Sequence, residues 1–284
     1  MIIARLQGGL GNQLFQYAAV KALASRLNKP FKLEAITSLQ KDKYRSIALN
    51  DLHANFELAT KKEVKDFLYF PSLYRHQYVS FFKAGKNIYH EPHFHFDENF
   101  FHLNDPVFLD GFWQSPLYFK DMETIIRRDF TIKPGLIKNV MEKGKELEGK
   151  DSIAVHIRRG DFMNPKITAY HGVMGTDYYS KAIQILKERI TSASVHYFSD
   201  DIEWVKKYLP ADNAEFVSSF TRSAIEDFYL MTKCRHIIIA NSSFSWWTAW
   251  LNDNPGKIVV APGKWFADSR INTNDLIPAE WIRI

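Results

Sequence analysis

The run His156-Ile157-Arg158-Arg159-Gly160-Asp161 puts an imidazole, two guanidiniums and a carboxylate at the end of an apolar stretch. A guanidinium fork suits bidentate recognition of phosphate and can neutralise charge developing on a departing diphosphate. Arg159 and Asp161 could also form a plain surface ion pair, but such a cluster ending an apolar strand points to function. Ser199-Asp200-Asp201 closes a second apolar stretch. Its adjacent carboxylates could ligate a metal between phosphates, hold basic neighbours and ribose hydroxyls, or cap the helix that follows. Asn241-Ser242-Ser243-Phe244-Ser245-Trp246-Trp247 closes a third. Hydroxyls and free backbone N–H groups at a helix start make a site for a diphosphate, while Trp246 and Trp247 read as core.

Gly8-Gly9-Leu10-Gly11-Asn12-Gln13 lies between the first strand and the first helix, without the spacing of a dinucleotide loop or a Walker motif. Gly8, Gly9 and Gly11 let backbone approach a ligand closely, and Asn12 and Gln13 offer amides at the helix start. Asp227 lies in a helix, where a lone acid is ordinarily just solvated. It gains meaning with guanine, because one carboxylate can accept from both N1–H and the exocyclic amine. His90, His93, His95 and His102 alternate with aromatic residues, and no cysteine or carboxylate completes a zinc site, so no metal centre is expected.

The elements that must position these groups are legible from periodicity. Ile2 to Leu6 reads as a strand, and Phe15, Ala19, Leu23 and Leu27 recur at helical spacing. Tyr44 to Phe112 is irregular, with only a short helix at Lys61 to Phe67. Ser115-Pro116 opens a helix towards Arg128, and Lys133 to Lys150 is a charged, helix-prone connector. Beyond it come strand Ile153 to Ile157, a helix lined by Tyr179, Ile183, Leu186 and Ile190, and strand Val195 to Phe198. Ser223 and Glu226 form a capping-box signature for a helix to Lys233, followed by strands His236 to Ala240 and Lys257 to Ala261. This half predicts a doubly wound parallel sheet, whose ligands bind beyond the carboxyl ends of the strands, where the three charged or hydroxylated runs fall.

With 284 residues, 46% hydrophobic and 24% charged, the chain can bury a large core, and disorder is excluded. A single cysteine, Cys234, rules out an intramolecular disulfide framework and fits a reducing compartment. The amino terminus reaches the glycine loop too soon for a signal peptide, and no run approaches the about 18 to 20 apolar residues of a membrane span. The expectation is a soluble cytoplasmic protein, at most peripheral on the inner face of a membrane. The net charge of +5 is diffuse and not interleaved with aromatic stripes, so no nucleic-acid partner is expected.

Five runs together resemble the bacterial α-1,2-fucosyltransferases of glycosyltransferase family eleven. They are Gly8 to Ala18, Gly111-Phe112-Trp113-Gln114-Ser115 with Tyr118-Phe119, His156 to Asp161, Phe198 to Asp201, and Asn241 to Trp247. The resemblance spans nearly the whole chain. It implies an α/β, GT-B-like architecture of two Rossmann-like lobes, with an acceptor-side lobe at 1–145 and a GDP-fucose-binding lobe at 146–284. It also implies no cofactor beyond the donor substrate, GDP-L-fucose, and an acceptor that is a galactose-terminated oligosaccharide or glycolipid. By likeness to the α-1,6- and protein O-fucosyltransferases, Arg158 would meet the β-phosphate and assist its departure, supported by Arg159, while His156 and Asp227 would face guanine. Ser243 would hold phosphate with Ser242 beside it, and Asn12 would stand where donor and acceptor meet. Gly9, Gly11, Asp161, Ser199, Asp200, Asp201 and Asn241 complete the expected donor-binding set.

A β-linked donor and an α-linked product imply one inverting displacement, with catalysis by electrostatic preorganisation. Arg158 then fills the cationic role, which favours a metal-independent reaction and turns Asp200 and Asp201 towards organising the nucleotide pocket. No general base stands out: a neighbouring guanidinium weakens a carboxylate such as Asp161, and His171 and Asp177 are weaker candidates. The rival expectations are transfer of fucose to a different hydroxyl and a non-catalytic nucleotide- or carbohydrate-binding protein of the same fold.

Overall fold

The computed structural model describes residues 1–39, 46–67, 87–190, 192–209 and 213–284. Residues 40–45 and 68–86, which take in Tyr44 and part of the irregular region, lie outside the described residues. The chain divides into two compact units, Met1–Thr131 and Ile132–Ile284.

In the first unit the apolar stretch after Met1 forms β1 (Ile2–Arg5), which pairs in parallel with β2 (Phe31–Glu34) on one side and β5 (Val107–Asp110) on the other. Two short strands, β3 (Glu57–Leu58) and β4 (Ile88–His90), complete the order β3-β2-β1-β5-β4. The strand order reverses between β1 and β5, which makes their carboxyl ends a topological switch point. Helix α1 (Leu10–Leu27) is buried almost without interruption from Gln13 to Val20, as a helix enclosed on most sides must be. It stops where Asn28 adopts the left-handed conformation, with Asn28 and Lys29 N–H groups donating to the Ser25 and Ala24 carbonyls. The short helix α2 (Lys61–Phe67) has the bounds expected, and Val64 and Phe67 close over Ile3 and Phe108 of the sheet. Instead of one helix from Pro116 to Arg128, the chain makes two 3₁₀ turns and then α3 (Glu123–Asp129).

The second unit begins earlier than the expected boundary at 145/146. The charged connector forms α4 (Met141–Glu148), and Gly144 lies so close to Tyr229 that a Cβ there would stand 2.7 Å from its ring. Tyr229 belongs to α8 (Ala224–Lys233), so α4 packs as part of this unit. Strand β6 (Ser152–Ile157) is buried along its whole length, the pattern of a central parallel strand covered on both faces. After the short α5 (Pro165–His171) and α6 (Thr176–Arg189) comes β7 (Ser194–Ser199), then α7 (Ile202–Tyr208) and β8 (Glu215–Phe216). Strand β9 (His236–Ile238), α9 (Ser243–Leu251), β10 (Val259–Ala261) and β11 (Ile282–Arg283) follow.

All pairings in this sheet are parallel, in the order β11-β10-β9-β6-β7-β8. This is the doubly wound sheet expected, with its switch point between β6 and β9. Ile153, Val155 and Ile157 pack on Tyr179, Ile183 and Leu186 of α6. Trp246 and Trp247 are fully buried, and the Trp246 indole donates to the Leu276 carbonyl at 2.8 Å. The capping box at Ser223 does not form: Ser223 makes no side-chain cap, and the Glu226 carboxylate accepts instead from the Arg222 N–H at 2.7 Å. Among the described residues, no helix is long and apolar enough to cross a membrane.

Candidate active site

Residues leaving β6 wrap around one carboxylate. Asp200, at the end of β7, accepts the backbone N–H groups of Arg159 and Gly160 at 2.8 and 3.0 Å through Oδ1, while its Oδ2 meets Arg158 at 2.6 Å. Gly160 must be glycine for this embrace, since a Cβ there would lie 2.6 Å from Asp200 Oδ2. Asp161 takes the other end of the Arg158 guanidinium, also at 2.6 Å. Two carboxylates thus fix the fork of Arg158, which carries five N–H donors and stays about one-third exposed (32%).

Arg159 has a different job. Its side chain is only 13% exposed, pairs with Asp201 at 3.0 Å and lies 3.9 Å from the centre of the Trp204 ring, a stacked cation–π contact. Asp201 also caps α7 by accepting the Trp204 N–H. The adjacent acids therefore hold the adjacent arginines, one each. Of the uses open for this pair at the level of sequence, it serves two at once: basic neighbours and a helix cap.

His156 is 6% exposed, and its Nδ1 has no hydrogen-bond partner among the described residues. Burial, with the Arg158 charge adding to it, pushes its pKa down to about 3, so the imidazole is neutral at physiological pH. Its ring lies 5.5 Å from Phe244, which in turn meets Phe228 at 5.2 Å.

Asp227 is not simply solvated. It accepts the Ser218 and Thr221 hydroxyls, each at 2.6 Å, and burial raises its pKa against the opposing effect of those bonds. Ser218 Oγ in turn accepts the Ser199 N–H, and Ser199 Oγ accepts the Asp201 N–H, both at 3.0 Å. A continuous polar line therefore runs from Asp227 to the tip of β7. Ser218, Thr221 and Phe244 were not singled out from sequence, although the hydroxyl-rich run Ser218-Ser219-Phe220-Thr221 carried the signal.

At the end of β9, Ser242 is the N-cap of α9 but does not use its hydroxyl as a cap, and Ser242 and Ser243 are both half-buried. Asn241 is 2% exposed. Its amide nitrogen donates to the His171, Gly172 and Trp265 carbonyls, which makes it a brace for the loops around the site. His171 stacks on Phe162 at 4.9 Å, and burial lowers its pKa; Asp177 is exposed in the first turn of α6.

The glycine loop and Asn12 gather at the other unit's own switch point. Gly8 has φ +79°, and a Cβ there would lie 2.3 Å from Asn12 Nδ2; Gly9 is exposed and Gly11 buried. Asn12 Oδ1 accepts from the Gln114 amide at 2.9 Å. Gln13 is not offered to a ligand: it is fully buried and bonded to the Gly8 and Ser46 carbonyls and the Ala48 N–H. His93 and His95 stack ring on ring, with centroids 3.6 Å apart, and His90 pairs with Asp110. Among the described residues, no group of three metal-ligating side chains occurs.

Comparison with known proteins agrees with this architecture. The chain is 33% identical over 291 residues to the alpha-1,2-colitosyltransferase of Escherichia coli, covering 100% of this chain and 99% of the relative. It is 24% identical to a galactoside 2-alpha-L-fucosyltransferase of Caenorhabditis elegans, over 91% of this chain and 71% of the relative. In fold it is similar to a solved structure of an Arabidopsis thaliana FUT1 mutant in complex with GDP, with TM-score 0.54 at 11% identity, covering 99% of this chain and 75% of the other. The two parallel α/β units are those of a GT-B fucosyltransferase fold. The family described as Glycosyl transferase family 11 matches residues 1–284, and the chain belongs to it.

Proposed function

We propose that this glycosyltransferase moves L-fucose from GDP-β-L-fucose to the 2-hydroxyl of a terminal β-galactose, with inversion and without a metal ion. The observation that carries the reading is the turn after β6, a strand that borders the switch point with β9, where Asp161 and Asp200 fix the Arg158 guanidinium at the strand end. A fork held by two carboxylates is oriented before the ligand arrives, and preorganised charge of this kind stabilises a leaving diphosphate. Ser242 and Ser243 at the start of α9 supply hydroxyls and a helix N-terminus on the adjacent strand end for the same anion. Together they fill the cationic role that a divalent metal plays elsewhere.

The guanine end falls to His156, Phe244 and Asp227. A neutral, buried imidazole offers a nitrogen to the base, Phe244 offers a ring face, and Asp227 keeps further lone pairs beyond the two hydroxyl bonds. Asn241, Arg159, Asp201 and Ser199 hold this frame. Gly9 and Gly11, expected with the donor, lie with Asn12 at the first unit's own switch point and are assigned to the acceptor side instead, and a loose, cationic transition state needs little help from a base.

One observation favours a second donor. Colitose is fucose without its 3-hydroxyl, and a relative named for colitose is more similar to this chain than the galactoside fucosyltransferase compared above. GDP-fucose and GDP-colitose offered with a panel of β-galactosides, with the product linkage read by NMR, test the reading. An α-1,2-fucosyl product formed in the presence of EDTA is expected. Preference for GDP-colitose would change the donor, restoration of lost activity by magnesium would return Asp200 and Asp201 to metal binding, and GDP binding without turnover would leave a binding protein.

A further inference from the structure

The turn after β5 in the first unit is built at a cost that its own packing does not require. Trp113 adopts φ +56°, a region that bulky residues rarely enter, while its side chain is fully buried against Tyr89, Phe100 and Tyr118. Backbone strain of this kind persists only where the surroundings over-determine it, and it collects at functional sites. Here the surroundings are Glu91 and Gly111. The half-buried Glu91 carboxylate accepts the N–H groups of Phe112 and Trp113 at 2.7 and 2.9 Å, one on each oxygen. A Cβ on Gly111 would come within 2.5 Å of Glu91 and 2.9 Å of the Trp113 ring.

The result is a turn in which Trp113 and Gln114 face inward and the Phe112 ring is held out, 37% exposed. A single exposed aromatic is ordinary. This one stands at the carboxyl end of a central strand, at the switch point, on a turn pinned from both sides. Beside it the Gln114 amide donates to Asn12 Oδ1 on the first turn of α1. The surface there is a ring face beside the half-buried Asn12 amide that the buried Gln114 holds; the Glu91 carboxylate is spent on backbone, and Asp110 at the strand end is paired with Arg5 and His90. Such a surface suits a neutral ligand with one apolar face and a rim of hydroxyls, which is a pyranose.

We infer that the Gly111–Gln114 turn is the subsite for the acceptor hexose, with Phe112 as its platform, the Asn12–Gln114 pair as its polar edge and Glu91 as the positioning residue that fixes the turn. The assignment of an acceptor rests on the function proposed above, but the subsite is tested without turnover. Saturation-transfer NMR with methyl β-D-galactopyranoside is measured on the wild-type protein, Phe112→Ala and Phe112→Tyr. Binding is expected to weaken about tenfold in Phe112→Ala and to stay within about twofold in Phe112→Tyr, as loss and retention of one aromatic face require. Equal binding by all three variants, or no binding by the wild type, would overturn the subsite. GDP affinity, measured by calorimetry on the same proteins, is expected to stay within about twofold in Phe112→Ala; a parallel loss of GDP affinity would also overturn it. A wild type that binds the galactoside through Phe112 but never turns over GDP-fucose would support the subsite and refute only the donor reading.

Discussion

At the switch point between β6 and β9, two arginines, three aspartates and a buried neutral histidine crowd around the strand ends, and nearly every charge is held by an opposite one. At the switch point between β1 and β5, the strand ends carry glycines, an amide pair and an exposed phenylalanine beside a little-exposed Arg5–Asp110 ion pair, and Glu91, the acid that meets the turn, is bonded to backbone. Both come from the same topological device, a parallel sheet whose strand order reverses. The difference teaches that topology supplies the crevice and the loop residues decide what it suits, and the reading proposed above assigns an anion to one unit and a neutral polyol to the other.

The sharpest way to break the comparison is to remove the charge from the first of these crevices. Arg158→Ala should lower kcat by about 10³-fold, since losing one preorganised donor to a developing charge costs about 10²–10³ and a guanidinium offers more than one. Arg158→Lys should recover little, because a point charge cannot span two carboxylates and a phosphate. The unfolding midpoint should barely move, and galactoside binding should not change at all. Near-native turnover in Arg158→Ala would remove the argument for this crevice as the donor site.

Asp200→Asn should have the next largest effect and a different signature. It keeps one acceptor oxygen but loses the charge that clamps Arg158 and caps two backbone N–H groups. Activity should fall by about 10- to 100-fold, and stability by about 0.5–1.5 kcal/mol, the net worth of hydrogen bonds whose donors are partly open to solvent. The pairing of the two losses separates Asp200 from Arg158, which should lose activity alone. Retained activity with lost stability would make Asp200 a scaffold residue only.

These contrasts also show what a sequence can tell. The charged crevice was legible because its residues leave three apolar strands within short runs, and α8 ended at Lys233 as its periodicity required. Partners that come from afar were not legible. Glu226 carries the spacing of a capping box, but its carboxylate bonds the Arg222 N–H, a choice made by the turn before the helix. Ser218 and Thr221 reach Asp227 only because β8 delivers them there, and β8 has two residues, too few for any period to register. The connector Lys133 to Lys150 looked like a joint because it is charged, whereas Gly144 gives it a flat face for Tyr229. In the neutral crevice, Glu91 was invisible because its role is to accept two amides from residues about twenty positions away.

Gly8→Ala probes the neutral crevice from its other wall. An alanine at φ +79° is strained, and its Cβ would strike the Asn12 amide at 2.3 Å, so the loop must shift. Loss of about 1–2 kcal/mol of stability is expected, together with weaker galactoside binding and unchanged GDP affinity in calorimetry. Equal weakening of GDP and galactoside would mean that the two crevices do not divide the ligands as argued.

The last effect is one of pH, read in the neutral crevice. Burial raises the Glu91 pKa to about 7, against the pull of its two amide bonds. Between the ordinary glutamate pKa near 4.5 and that value, the folded unit binds more protons than the unfolded chain. Stability then falls as pH rises through this window and is flat above it, the opposite of a salt-bridged acid. The difference between those two pKa values is worth about 3 kcal/mol for a fully buried carboxyl, and solvent around the half-buried Glu91 reduces the expected loss to about 1–2 kcal/mol. It should be visible as faster hydrogen exchange in peptides of the first unit at pH 8 than at pH 5, after correction for the intrinsic rate. Glu91→Gln cannot ionise, so it should remove this pH slope even though it weakens the turn at every pH. A slope that persists in Glu91→Gln would assign the titration to another group and leave the neutrality of this crevice unsupported.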